Sequence, residues 1–139
     1  MNTAPTLQSV EVVHIPDPDP DLSYLSDSTR YQGVPAGERA RYVTEDAERL
    51  ASYGDSWACI GVRVRAEVVV CGVVQRVESA GLWGVEDDSA PDYLDSVARD
   101  ECAELAPVLS AMNVRTEDGE EITADALARL AGVAEEALA

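Results

Sequence analysis

Lysine and phenylalanine are absent from this 139-residue chain, and histidine occurs once, at His14. Every one of the 10 basic residues is therefore arginine, set against 27 Asp and Glu, for a formal net charge of −17. A single imidazole leaves little material for a His-based triad or a His/Cys metal site. No serine or cysteine has a base near it in sequence, and there is no phosphate-binding glycine loop, so no catalytic constellation, cofactor or metal is expected. No apolar run reaches the ~20 residues that span a bilayer. Residues 1–10 lack the basic start and apolar centre of a signal peptide, which points to the cytoplasm. Cys59, Cys71 and Cys102 are odd in number and widely spaced among apolar residues, a pattern of reduced core thiols rather than of a disulfide framework.

The charge is unevenly placed. From Glu86 to Ala139 there are 15 acids and 3 arginines, and before Glu86 there are 12 acids and 7 arginines. Such a surface repels nucleic acid and anionic membrane and favours a basic partner. It does not prevent folding, because 46% of the residues are hydrophobic, enough for one domain with a real core.

The patterning predicts an α+β fold, a three- to four-stranded antiparallel sheet packed by helices. Residues 1–34 supply an N-terminal strand and an extended acidic Pro/Asp segment, 35–116 the α+β core, and 117–139 a C-terminal helix on the same domain. Val10, Val12 and His14 alternate with Glu11, Val13 and Ile15 as a short strand stopped by Pro16. The following Asp17-Pro18-Asp19-Pro20-Asp21 has aspartates at calcium-loop spacing. Leu22 and Ser28 occupy the places of the required glycine and closing glutamate, so it reads as a solvated polyproline-like linker.

Ala40, Val43, Ala47, Leu50 and Ala51 recur at helical spacing, with Gly54 as a stop and Glu45–Arg49 as a favourable i,i+4 pair. The clearest pattern is the hairpin over 57–78. Ile60, Val62, Val64, Ala66, Val68 and Val70 alternate with Arg63, Arg65 and Glu67, and a two-residue Cys71-Gly72 loop sets Val70 opposite Val73. That register pairs Glu67 with Arg76 and Arg65 with Glu78, which explains the strand arginines without a nucleic-acid patch. A third strand is expected near 82–86, after a bend at Gly81.

Ser89 then reads as an N-cap and Pro91 as a first-turn residue of a long helix. Its apolar stripe is Leu94, Val97, Ala98, Cys102, Leu105, Val108, Leu109 and Met112; Pro107 is a kink or break and Asn113 the stop. Glu101 falls inside that stripe. An edge position or an arginine pair is the ordinary reading of it, and a pocket carboxylate the functional one. Thr123 caps a last helix through Leu127, Leu130 and Leu138.

The candidate partner-binding residues are Glu86, Asp87, Asp88, Asp92, Asp95, Asp100 and Glu104, an acidic band along the start and outer face of the long helix. Asp95–Arg99 is an i,i+4 pair within it. Trp83 joins the set as an exposed anchor, against the ordinary reading that it packs the helix.

Ala126 to Val133 resembles the helix and turn of helix-turn-helix repressors, but Ala134-Glu135-Glu136-Ala137 offers no cation to phosphate, so DNA binding does not carry over. Gly81-Leu82-Trp83-Gly84-Val85-Glu86-Asp87-Asp88-Ser89 resembles small acidic proteins of unknown function carried by bacteriophages and actinobacterial genomes. That likeness runs over about residues 56–114. It implies a strand, strand, strand, helix module, and an inhibitor that occupies the basic surface of a nucleic-acid-handling host complex, in the manner of an anti-CRISPR or anti-restriction DNA mimic in the host cytoplasm. The competing expectation is a structural protein that self-associates, as a homodimer, through the sheet or C-terminal helix. A third is an enzyme built on Glu101.

Overall fold

A computed structural model describes residues 4–134, without the side chain of Ser28. The fold is α+β, with a four-stranded antiparallel sheet and three α-helices among the described residues. Strand β1 spans Thr6–Pro16, β2 Cys59–Val70, β3 Val73–Glu78 and β4 Leu82–Glu86. Helix α1 spans Ala36–Ala51, α2 Pro91–Ala111 and α3 Ala124–Leu130.

The hairpin has the register its charges require. Val70 pairs with Val73, Glu67 with Arg76 and Arg65 with Glu78, and Cys71 and Gly72 both take positive φ, as a two-residue turn matched to strand twist demands. Cys71 thereby lies exposed at the turn, whereas Cys59 and Cys102 are buried; the expectation of three core thiols fails at the residue that the turn places outside. Strand β1 is longer than its alternation suggests, because β2 offers it partners from Val69 to Ile60. The N-terminal stretch is thus part of the sheet.

The other edge of β2 is shared. β3 pairs with its second half and β4 with its first, so β4 continues the line of β3 after an interruption at residues 79–81. The even-numbered side chains of β2 from Val62 to Val68 are fully buried beneath α2. Leu7 and Val10 of β1, Leu105 and Leu109 of α2, and Leu127 of α3 complete the main core. Each fully buried leucine contributes about 1.5–3 kcal/mol.

Helix α2 starts and stops differently from its sequence signals. Pro91 is its first residue, but Ser89 does not cap it: the Ser89 hydroxyl donates to the Glu86 carbonyl at 2.6 Å. The helix runs through Pro107 to Ala111, with Met112 as its cap, and Asn113 closes it at a φ of 60° that allows Val114 N–H to reach the Leu109 carbonyl. Val108 and Met112, expected in the stripe, are 48% and 42% exposed, because α2 packs on β2 and α3 and leaves these two positions at the margin of that contact. Thr123 caps α3 by accepting from Ala126 N–H at 3.1 Å. Leu138, expected on that helix, lies outside the described residues.

Helix α1 buries no residue. Its apolar positions face two short 3-10 turns at Ser23–Leu25 and Ser28–Tyr31 rather than the sheet, and Val43 and Leu50 stay partly exposed. The Pro/Asp segment is folded onto the body instead of standing off as a linker. Asp17 accepts from Asp19 N–H and Gly84 N–H at 3.0 Å, and Asp21 accepts from Ser23 N–H.

Candidate functional site: an acidic helical layer above a charge-balanced sheet

The first three acids of the expected band are used inside the molecule. Asp88 takes a bidentate pair from Arg49 at 2.7 and 2.8 Å, and Glu86 lies 3.4 Å from the same guanidinium. Tyr24 hydroxyl donates to Glu86 at 2.6 Å, and Asp87 accepts from Ala58 N–H at 3.0 Å. Burial, followed by Glu86 as acceptor, pushes the Tyr24 phenol well above its ordinary range. Arg49 therefore does not pair with Glu45, which lies 3.8 Å from Arg41. Its guanidinium instead sits 3.7 Å from the Trp57 ring centre, and the buried Trp57 indole donates to the Arg49 carbonyl. Glu86, Asp87 and Asp88 are the dock for α1 and the Trp57 loop.

Asp92, Asp95, Asp100 and Glu104 are different. None of the ion pairs among the described residues includes an acid beyond Asp88. The expected Asp95–Arg99 pair is not formed, because the Arg99 guanidinium donates to the Ala134 carbonyl at 2.7 Å and ties α2 to the chain that follows α3. Glu117, Asp118, Glu120, Glu121 and Asp125, between and on the two helices, are likewise outside any ion pair among the described residues. The α2–α3 layer thus carries uncompensated acid.

On the opposite face of the sheet the charges balance. Arg65 contacts Glu78 at 2.8 Å and Glu11 at 3.3 Å, Arg63 contacts Glu78 at 3.1 Å, and Arg76 lies 3.7 Å from Glu67. Hydrogen bonding to Arg65 is the first cause that holds the Glu78 carboxyl below its usual range.

Trp83 lies on this balanced face and not against α2. Its ring covers Gly61, where an added Cβ would overlap the indole, and the Arg63 guanidinium sits 5.2 Å from the ring centre. At 38% exposed it stays at the surface, so the ordinary reading that it packs the helix is corrected. Gly61 is the sequence signal that could have located it, since a glycine inside a strand marks close approach. Gly61→Val is expected to expel the indole and cost about 1–3 kcal/mol. The checks are a red-shifted tryptophan emission and a lower denaturation midpoint; unchanged emission would sink the stacking.

Glu101 is buried at 4% exposure, yet neither an arginine nor the helix edge receives it. Its Oε1 accepts from Ser79 hydroxyl at 2.8 Å and from Gly81 N–H at 2.7 Å. Ser79 in turn exchanges bonds with Val64, accepting its N–H on Oγ at 2.9 Å and donating its own N–H to the Val64 carbonyl. Glu101 therefore closes the interruption between β3 and β4. No buried side-chain polar atom among the described residues lacks a partner.

No group of three or more His, Cys, Asp or Glu among the described residues is arranged to hold a metal ion. No helix among them is long and apolar enough to cross a membrane. No protein-family model, curated protein or solved structure matches this chain. The site stands on its own geometry: a layer of carboxylates on α2 and α3 outside any ion pair among the described residues, held on the core by Leu105, Leu109 and Leu127.

Proposed function

We propose that this protein is a non-catalytic binding protein that engages a basic protein surface through Asp92, Asp95, Asp100 and Glu104 of α2. The observation that carries this reading is the division of charge: acids up to Asp88 include all those in ion pairs among the described residues, and those on the α2–α3 layer are free of them. A long helix seated on a packed core holds these carboxylates in fixed spacing, which favours fast, oriented encounter with a cationic groove.

The groove of a nucleic-acid-handling host complex is one such surface, and inhibition of an anti-defence kind follows if the protein occupies it. The charge density bears on how. Asp92 to Glu104 spans ~18 Å of helix at 1.5 Å per residue. Four carboxylates over that length are a few-fold sparser than duplex phosphate, at one charge per ~1.7 Å of axis. This favours matching a discrete cluster of Arg or Lys over imitating a continuous duplex.

The test is capture of a basic partner from cell lysate at low and high ionic strength, followed by association kinetics with Asp100→Lys/Glu104→Lys. The double reversal is expected to slow association at low salt by at least ~10-fold. Glu38→Lys, an exposed acid on α1, should change it little. Equal effects from the two variants, or binding indifferent to salt, would refute an α2-directed interface.

A further inference from the structure

We propose that two copies of this chain pair through β3, antiparallel about a two-fold axis normal to the sheet at Gln75, to form one continuous sheet.

β3 is the least covered element of the sheet. Five of its six residues are exposed, it pairs only with β2 among the described residues, and on its inner face only Val77 packs against the main core. The backbone has a defined polarity. Val70 and Val73 close the turn as a hydrogen-bonded pair, so Val73, Gln75 and Val77 turn their N–H and C=O toward β2. The Ser79 N–H bond to the Val64 carbonyl has the same parity. Val74, Arg76 and Glu78 therefore aim theirs outward, a template for another strand.

The side chains select a second copy and one register. With the axis at Gln75, Val73 lies across from Val77 of the second copy, and the hydrogen-bonded pairs are Val74 with Arg76. An axis at Arg76 would set two guanidinium groups face to face, and an axis at Val74 would shorten the ladder. On the helix side, the paired strands form a Val-Gln-Val stripe in each copy. Val108 lies seven residues beyond Glu101 and about 20° round the helix, so it faces the same β3 side. Val73 within the stripe is 56% exposed, and Val108 and Met112, exposed at 48% and 42%, border it in both copies.

Charge also favours this edge. Arg76 and Glu78 are already paired with Glu67 and Arg65 on β2, so two molecules of net charge −17 meet where the field is balanced. The two β2 strands would lie three strand spacings apart, roughly 14 Å, and their α2 helices beyond the ~8 Å screening length at physiological salt. Self-association is thus expected to strengthen with salt, whereas binding of a basic partner weakens, so the two readings fail independently.

Sedimentation velocity over a concentration series at low and high salt tests the proposal. Val74→Pro removes an outward N–H and spares the β2 ladder; it is expected to raise the dimer dissociation constant at least ~10-fold with unchanged circular dichroism. Gln75→Cys is combined with Cys71→Asn, an asparagine being tolerated at the positive φ of that turn. Opposed residues at the axis lie ~4.5 Å apart between Cα atoms, within disulfide range. Mild oxidation should cross-link Gln75→Cys and leave Arg76→Cys in the same background monomeric on denaturing gels. A chain monomeric at every concentration and salt, a dimer indifferent to Val74→Pro, or cross-linking at 76 in place of 75 would overturn it.

Discussion

Glu101→Ala is expected to lower the unfolding free energy by about 3 kcal/mol, the largest loss from any single side chain outside the aliphatic core. The carboxylate receives two donors at the point where the sheet edge changes hands from β3 to β4. Gly81 has a φ of 94° there, and its N–H has no ladder partner of its own; Ser79 uses its side chain to stand in for a strand at Val64. Removing the acceptor orphans the Gly81 N–H, leaves the Ser79 hydroxyl without its receiver, and opens a void under α2. Glu101→Gln keeps an oxygen in place and should cost only about 1 kcal/mol. Urea denaturation of both variants checks the order. Glu101→Ala and Ser79→Ala should be non-additive, since they share one network. An alanine variant within 0.5 kcal/mol of the parent, on the scale of ordinary surface changes, would show that the carboxylate does not hold the junction.

Arg49→Ala is expected to release α1 while the sheet stays folded. The helix has no buried residue, and this guanidinium joins it to Asp88, Glu86 and the Trp57 ring at once. Because the side chain is 30% exposed, solvent screening limits the loss to about 2 kcal/mol despite the bidentate geometry. Hydrogen exchange should rise through residues 36–51 and stay low in β2. Lysine at this position cannot make the fork and should fall between the two.

The pH dependence has a definite sign. The Arg49 hydrogen bonds hold the Asp88 carboxyl below its usual range. Its folded value is depressed, so the tether is fully present above the unfolded value of ~3.9 and is lost as pH falls through the folded value. The protection factors of α1 in the parent protein, referred to the intrinsic exchange rate at each pH, should therefore fall as pH drops below the unfolded value of ~3.9, and the Arg49→Ala variant should lack that step. Protection of α1 that is equal in the two proteins at pH 7 would remove Arg49 as the tether.

These two residues show where the sequence can be read. The hairpin was legible in full because a period of two and complementary charges at 65, 67, 76 and 78 admit only one register. Thr123 and Asn113 were legible because caps act on backbone within a few residues. Glu101 stood out as misplaced on an apolar stripe, but its partners lie twenty-two and twenty residues away, at a strand break that no local pattern marks. Arg49 suggested only a weak intrahelical pair with Glu45. Its partners lie thirty-nine and thirty-seven residues off, and bidentate geometry next to an aromatic ring outcompetes an exposed i,i+4 contact.

The acidic band was half legible for the same reason. Composition determines that the chain is acidic, that its arginines are few, and that most of the excess lies from Glu86 onward. Periodicity determines the strands, the long helix and which side of each is apolar. Only the tertiary structure decided that Glu86, Asp87 and Asp88 are consumed in docking α1 and the Trp57 loop, that Trp83 covers Gly61, and that Asp92, Asp95, Asp100 and Glu104 are left outside any ion pair among the described residues. The physical reason is range: propensity and periodicity act over one or two turns of chain, whereas the partner that neutralises or frees a charge is set by which distant segments pack together.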